Sequence, residues 1–496
     1  MLYISAQPDN IYFTWQLEIQ LRNFQSLGIK KNDIHILISY DKTFGLNPIF
    51  QEFITTNDHL ANFYTYPDLR SKPKYTSSIR PNILKQHFIK FPELELKTLF
   101  YHDSDILLSR IPAIENLEKT DTCYVSDTRS YLNVNYILST GSEKLLEDML
   151  LVVGLNREKL EKEDHNTGGA QYILKNIGFS FWEKVERDSE QLFILMKRYN
   201  DKLWEEDYAD KKSFRSQRKG IQAWCSDMWA VLWNLWLDDK KVEIHAEMTF
   251  SWPYNLIADW NRHAILHYSG NVQDKNKYFR KVEYINYKPW YDDTLDNIPD
   301  TSCSIEIVRL IKARRKELDE SRPTFSEKII FLETEHANLE TIRIFENHRI
   351  YIQKYFNIAV ELLANSIKED LAISSTIKLK SQVLPQKINP SLQSLVIIPL
   401  NQLLKTDELN EILSSNTDNE FHLSTQQYKL DSLFNEAFSK MLDIELLEQN
   451  TGKFNIINEQ KLILKLNILS FENYLNDEKD RLILTEKHLG RTYILS

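Results

Sequence analysis

The sequence predicts an α/β fold in which a mainly parallel sheet lies between helices. Three observations predict it. Short apolar strands alternate with amphipathic helices through the N-terminal part, the pattern of βαβ units. The strongest of these strands ends in carboxylates, where ligands bind in such sheets. The composition, 42% apolar and 27% charged, is that of a chain able to bury large cores. At 496 residues and about 150 residues per domain, two or three domains are expected.

The elements follow in order. LYISA (2–6) reads as a short apolar strand. IYFTWQLEIQLRNFQSLG (11–28) reads as an amphipathic helix stopped by Gly28. IHILISY (34–40) and NFYTYP (62–67) are a second and third strand. PNILKQHFIKF (81–91) is a helix opened by proline. LKTLFYHDSDILL (96–108) reads as one apolar strand running into acids. Neither GxGxxG nor GxxxxGK[ST] occurs, which excludes a dinucleotide fingerprint and a P-loop. The charged stretch 183–220 reads as a solvated helical insertion, with a mobile lid as the alternative. Nine of the ten tryptophans lie between Trp182 and Trp290, and no glycine occurs between Gly270 and Gly452. The boundary this marks divides the chain into a first domain at 1–300, a helical linker at 301–325 and a C-terminal α/β domain at 326–496. In that last domain KIIFLE (328–333), LVIIPL (395–400) and KLILKL (461–466) read as strands, and IYIQKYFNIAVELLANSI (350–367) reads as a helix. Its expected role is acceptor recognition or oligomerisation, so a homo-oligomer is among the expectations.

Several classes are excluded. A net charge of −10 argues against a nucleic-acid binder, whose footprint is basic, while leaving room for a local positive pocket for a phosphorylated molecule. Cys123, Cys225 and Cys303 are odd in number and far apart, so they build neither a disulfide framework nor a zinc set. No run of about 18 apolar residues occurs, so no transmembrane helix is predicted. MLYISAQPDN lacks the basic and apolar regions of a signal peptide, and the expected location is cytoplasmic.

Four motifs carry chemistry. Asp103 and Asp105, at i and i+2 in extended chain, project to one side. Two unpaired acids at a buried strand end repel and are costly to desolvate, which a divalent cation resolves. Oxygen ligands suit Mg²⁺ or Mn²⁺. The same pair also suits a turn with two exposed acids. Asn166-Thr167-Gly168-Gly169 reads as a turn before the helix YILKNIG, its glycines letting backbone approach a ligand and its Asn166 amide free for a hydroxyl. A plain N-cap is the alternative. Trp224-Cys225-Ser226-Asp227 opens a helix apolar almost all round, in which Trp229, Trp233 and Trp236 belong to the core. Asp227 either complements the helix dipole or holds a sugar hydroxyl. His267-Tyr268-Ser269-Gly270 ends a short strand, with Arg280, Lys281 and Lys288 downstream as cations for a diphosphate. A structural histidine is the alternative there.

In this order, DSD, Asn-Gly-Gly, Asp before a buried helix, and HYSG with KPW behind it, the motifs resemble the glycosyltransferases of the A-type nucleotide-diphospho-sugar fold. The arrangement is similar to family 8. WQLEIQLRNFQSLGI, SSIRPNILKQHF, AWCSDMWAVLWNLWL and ILHYSG are closer still to the peptidyl-serine galactosyltransferases and hydroxyproline arabinosyltransferases. The resemblance covers about residues 1–290; KPW (288–290) stands further from Gly270 than in family 8. It implies a UDP-sugar donor, a hydroxyl acceptor on peptide, protein or glycan, and a retaining transfer. Asp103, Asp105 and His267 would bind Mn²⁺ or Mg²⁺. Ser5, Ala6 and Gln7 would line the nucleotide site, and Arg80, Ser104, Gly168, Gly169, Gly270 and Lys281 would complete the donor site. Asp227 and Asn166 would orient the sugar and serve catalysis. The alternative is a silent carbohydrate- or peptide-binding module on the same fold. A nucleotidyltransferase is disfavoured, because SAQPDNIYF lacks a glycine- and arginine-rich loop.

Overall fold

The computed structural model describes residues 1–211, 218–269, 272–367, 376–383, 391–404, 406–415, 420–429, 455–457, 462–467, 471, 474–476 and 485–494. They form two compact units, Met1–Ile285 with Asp293–Ile311, and Asn286–Asp292 with Lys312–Ser496.

In the N-terminal unit the strands are β1 (Leu2–Pro8), β2 (Ile34–Tyr40), β3 (Asn62–Pro67), β4 (Leu99–Tyr101), β5 (Ile106–Leu108), β6 (Cys123–Asp127), β7 (Gly168–Leu174), β8 (Val242–Ile244), β9 (Phe250–Ser251) and β10 (Ile265–His267). Seven form one sheet in the order β3-β2-β1-β4-β7-β6-β8. β3, β2, β1 and β4 run parallel, and β7 is antiparallel to both β4 and β6. The expected α/β class with a mainly parallel sheet between helices is the one observed. Along β1, Ile4 and Ala6 pack into one buried cluster and Tyr3 into another, so both faces are covered.

Helix α1 (Ile11–Ser26) starts where Asn10 Oδ1 accepts the Tyr12 amide at 2.9 Å. It ends before Gly28, whose φ of +79° suits glycine. α2 (Pro48–Asn57) and α3 (Ile79–Lys90) follow. Three corrections belong to this unit. The stretch 96–108 is two strands in two sheets: β4 stays beside β1, while β5 pairs antiparallel with β10 in a three-stranded sheet. The acids therefore sit in the turn between sheets. YILKNIG is no helix, because Gly168–Leu174 is buried in the sheet as β7. A Cβ on Gly168 would stand 2.2 Å from Val125 Cγ2 and 2.6 Å from the Ser126 carbonyl, so this glycine serves strand packing at a register shift. Lastly, Phe179–Lys211 is one long helix whose Trp182, Val185, Leu192 and Met196 are buried, with most of its charges on the outer side and Asp188 and Asp207 buried as partners of Lys184 and Arg218. Residues 212–217 of the stretch read as an insertion lie outside the described residues.

The C-terminal unit contains strands β11 (Thr324–Ala337), β12 (Asn357–Ile367), β13 (Ile377–Leu379), β14 (Ser394–Pro399), β15 (Gln402–Leu404), β16 (Glu420–Lys429), β17 (Asn455–Ile457), β18 (Leu462–Asn467) and β19 (Thr485–Ile494). They run in the order β13-β12-β11-β14-β18-β16-β19-β15, with β17 on β16. Residues 350–367 divide: the helix Leu339–Tyr355 stops at Phe356 and β12 begins. Ile358, Val360, Leu362 and Ala364 bury one side of β12 between β11 and β13, a period of two that helical reading overlooks. Lys461, the first residue of KLILKL, lies outside the described residues.

Candidate functional site

The turn between β4 and β5 is held from below by one face of α1. Gln20 Nε2 donates to the Asp103 carbonyl at 2.8 Å. Asn23 accepts the Leu108 amide at 2.7 Å and donates to the Leu108 carbonyl at 2.9 Å. Ser104 Oγ donates to Gln16 Oε1 at 3.2 Å. Gln16, Gln20 and Asn23 recur at helical spacing and are all buried. From β7, Gln171 Oε1 accepts the Asp103 amide at 3.1 Å. The backbone that carries the acids is thus fixed by three amide side chains, and a fourth, Gln16, holds the Ser104 hydroxyl between them. The signal was present as a polar stripe inside an apolar helix, and sequence reasoning assigned those residues no role.

His267, at the end of β10, faces this turn. Its Nε2 lies 3.6 Å from Asp103 Oδ2 and 3.3 Å from Asp105 Oδ1. One ligand atom from each of the three lies within 4.8 Å of the others. Trp252 stacks on the imidazole at 5.7 Å and Phe250 meets it edge-on at 5.1 Å, fixing the ring plane. Asp105 and His267 are buried and Asp103 is half-buried.

Two cations flank the acids. Arg80, one residue into α3, bridges Asp103 and Asp227 through its two terminal nitrogens. Lys281 is paired with Asp105. Burial alone would raise the Asp105 pKa, but the charges of Lys281 and His267 outweigh it and hold the carboxyl below the usual carboxylate range. Burial opposes the charge on Lys281, and Asp105 restores it, so the ammonium pKa lies above its ordinary value. Tyr75 Oη is 2.6 Å from both Asp227 Oδ1 and the Trp224 carbonyl. Burial, then the Asp227 charge, push the Tyr75 phenol well up, so it stays a donor.

All of this opens on a cleft of about 1160 Å³. Of the residues expected to form the site, Ala6, Gln7, Arg80, Asp103, Ser104, Asp105, Asp227, His267 and Lys281 line it. Ser5, Asn166, Gly168 and Gly169 do not. Ser5 is buried in β1, and the Asn166 amide contacts His165 at 3.0 Å. A Cβ on Gly169 would meet Met228 and the Tyr172 hydroxyl at 2.9 Å, so the second glycine also serves packing. Gly270 lies outside the described residues. Arg280, one of the cations expected downstream of His267, lines the cleft, and Tyr12, Trp224 and Trp252 line it too without having been assigned to it from sequence.

Two carboxylates and one imidazole form an O,O,N donor set that suits Mn²⁺ or Mg²⁺ better than a soft thiolate-preferring ion. The His267 Nδ1 is buried without a hydrogen-bond partner, and Nε2 faces the carboxylates, so Nε2 is the atom offered.

No family model matches the chain, and no curated protein matches it. Among solved structures, the chain is similar to the WbbM bifunctional glycosyltransferase in its apo form, at 11% identity and a TM-score of 0.31, over 62% of this chain. The chain spans about half, 51%, of that protein. A likeness at that level carries no weight for function. Among the described residues, no helix is long and apolar enough to cross a membrane.

Proposed function

We propose that the N-terminal unit is a metal-dependent glycosyltransferase of the A-type fold, moving a sugar from a UDP-sugar to a hydroxyl acceptor on a peptide, protein or glycan. One observation carries the reading: Asp103, Asp105 and His267 converge at the carboxyl end of a mainly parallel sheet, in a cleft that also holds two half-buried cations. An acidic triad alone fits any divalent-cation site. Cations beside it fit a ligand that brings its own negative charge, as a diphosphate does.

Asp103, Asp105 and His267 would hold the ion, Mn²⁺ or Mg²⁺, which when bound supplies Lewis-acid stabilisation of a diphosphate leaving group. Lys281 is placed to share its charge with a phosphate. Ala6 and Gln7, at the end of β1, would bound the nucleotide. Asp227, held by Arg80 and Tyr75, accepts hydrogen bonds from a sugar hydroxyl and fixes the ring. Both of its oxygens are already engaged, which makes it a poor nucleophile. The resemblance to retaining families supports same-face attack, with a diphosphate oxygen taking the acceptor's proton. The residues outside the cleft, Ser5, Asn166, Gly168 and Gly169, have no part in this reading.

The test is release of UDP from a panel of UDP-sugars, with and without Mn²⁺. Asp103→Asn and Asp105→Asn should each lower metal-dependent turnover by roughly 100-fold or more while melting near the wild-type temperature. Undiminished turnover in excess chelator would sink the metal role. Sugar binding without turnover on any donor would favour the binding-module reading.

A further inference from the structure

The two units share one strand plan. Leaving out β5, which pairs elsewhere, the N-terminal sheet numbered by chain order reads 3-2-1-4-6-5-7. Leaving out the short β15 and β17, the C-terminal sheet also reads 3-2-1-4-6-5-7. The directions agree at every step. The first three adjacencies are parallel in both. The next two are antiparallel and the last is parallel in both.

The likeness extends to the hinge that carries the acids. In each unit the fourth strand is followed, after a short turn, by a three-residue strand: Ile106–Leu108 in one, Gln402–Leu404 in the other. Each of these pairs antiparallel with a late segment of its own unit: β10, outside the seven-stranded sheet, in one, and the C-terminal end of β19, which is also the last strand of the shared plan, in the other. The register then aligns the two sites. Ile106, first residue of its strand, is paired with His267, and Gln402, first residue of its strand, is paired with Ile494. Counting back from those first residues, Asp105 falls on Asn401 and Asp103 on Pro399.

We infer that the C-terminal unit is a second copy of the transferase-type sheet whose metal site has been erased at Pro399, Asn401 and Ile494, leaving divalent-cation binding and turnover to the N-terminal unit. This rests on the reading of Asp103, Asp105 and His267 as metal ligands. Proline and isoleucine side chains offer no ligand atom, and asparagine offers one neutral oxygen. The charge nearby is settled internally. Glu333, register partner of Pro399 on β11, accepts from Tyr474 Oη at 2.7 Å and lies 3.5 Å from Lys380, whose ammonium sits 4.1 Å over the Tyr474 ring. A carboxylate so neutralised needs no ion.

The test is Mn²⁺ titration of the full chain, following free Mn²⁺ by electron paramagnetic resonance. One tight site per chain is expected, absent from the Asp103→Asn/Asp105→Asn variant and unchanged in Glu333→Gln and Asn401→Ala. Circular dichroism of each variant checks folding. A second tight site in the wild type, or a site that survives the double variant, overturns this inference and leaves the reading of the N-terminal site standing. No site at all in the wild type overturns that reading, and this inference with it.

Discussion

Lys281 touches the candidate metal site at one point, Asp105, yet also lines the cleft. The two roles separate by experiment. Without nucleotide the ammonium and a metal ion compete for the same carboxylate. With nucleotide the ammonium is free to meet a phosphate. Lys281→Met should therefore weaken UDP binding by about 1.5–3 kcal/mol, the range for a hydrogen bond to a charged group. Mn²⁺ affinity without UDP should be unchanged or improved. Calorimetry of both ligands decides it; loss of both affinities together would mark Lys281 as merely structural. At the same scale, the aspartates were legible because two acids at a strand end are costly without a partner. Gln16, Gln20 and Asn23 were not, because a buried amide has meaning only once the backbone atoms it serves are known.

At the scale of elements, β2 and α3 meet through two buried imidazoles. His35 Nδ1 lies 3.0 Å from His87 Nε2, and Tyr66 Oη lies 2.7 Å from His87 Nδ1. Burial lowers His35 from the ordinary 6.5 to about 4 and His87 to about 3. Both folded values lie below the unfolded one, so the unfolded chain takes up protons first. The stabilisation is present above pH 6.5 and is lost as pH falls from there towards 4. Between pH 6.5 and 5 the loss should be roughly 2 kcal/mol per imidazole. Denaturant midpoints across that window should fall accordingly, and a His35→Asn/His87→Gln variant should flatten the slope. A wild-type midpoint that does not move over the window would contradict the pair's neutrality. Gly168, first residue of β7, makes a second test at this scale. Gly168→Ala must displace Val125 or the Ser126 carbonyl and should cost about 1–3 kcal/mol. Thermal melting with UDP affinity measured alongside checks it, since a packing glycine lowers stability and leaves affinity intact.

At the scale of the molecule, the triad, both flanking cations and the cleft lie in the N-terminal compact unit. A chain ending at Glu320, which keeps the helix Ser304–Glu320 whole, should bind UDP with Mn²⁺ at near full-length affinity and hydrolyse donor slowly. It should lose transfer to the true acceptor or change its oligomeric state. Circular dichroism distinguishes an unfolded fragment from a functional loss. A folded fragment that cannot bind UDP would assign donor contacts to the C-terminal unit.

By itself the sequence determined the α/β class, since alternation of short apolar strands with amphipathic helices is a local pattern that one sheet arrangement satisfies. It likewise marked the helix Ser226–Leu237 as buried, because apolar residues surround it on every side. Tertiary structure decided what depends on partners. In the run 96–108 apolar residues stand on both sides of the acids, and nothing local tells where it leaves one sheet for another; pairing of β4 with β1 and of β5 with β10 does. Residues 357–367 suit helix or strand by composition, and the open edge of β11 made them a strand. Paired glycines before an apolar segment suit a ligand turn or a tightly packed strand, and the Val125 side chain decided for the strand. The likeness of the two sheets is a matter of strand order and register. These are set by contacts between residues far apart in the chain, so a plan can persist where the side chains that once read alike have been replaced.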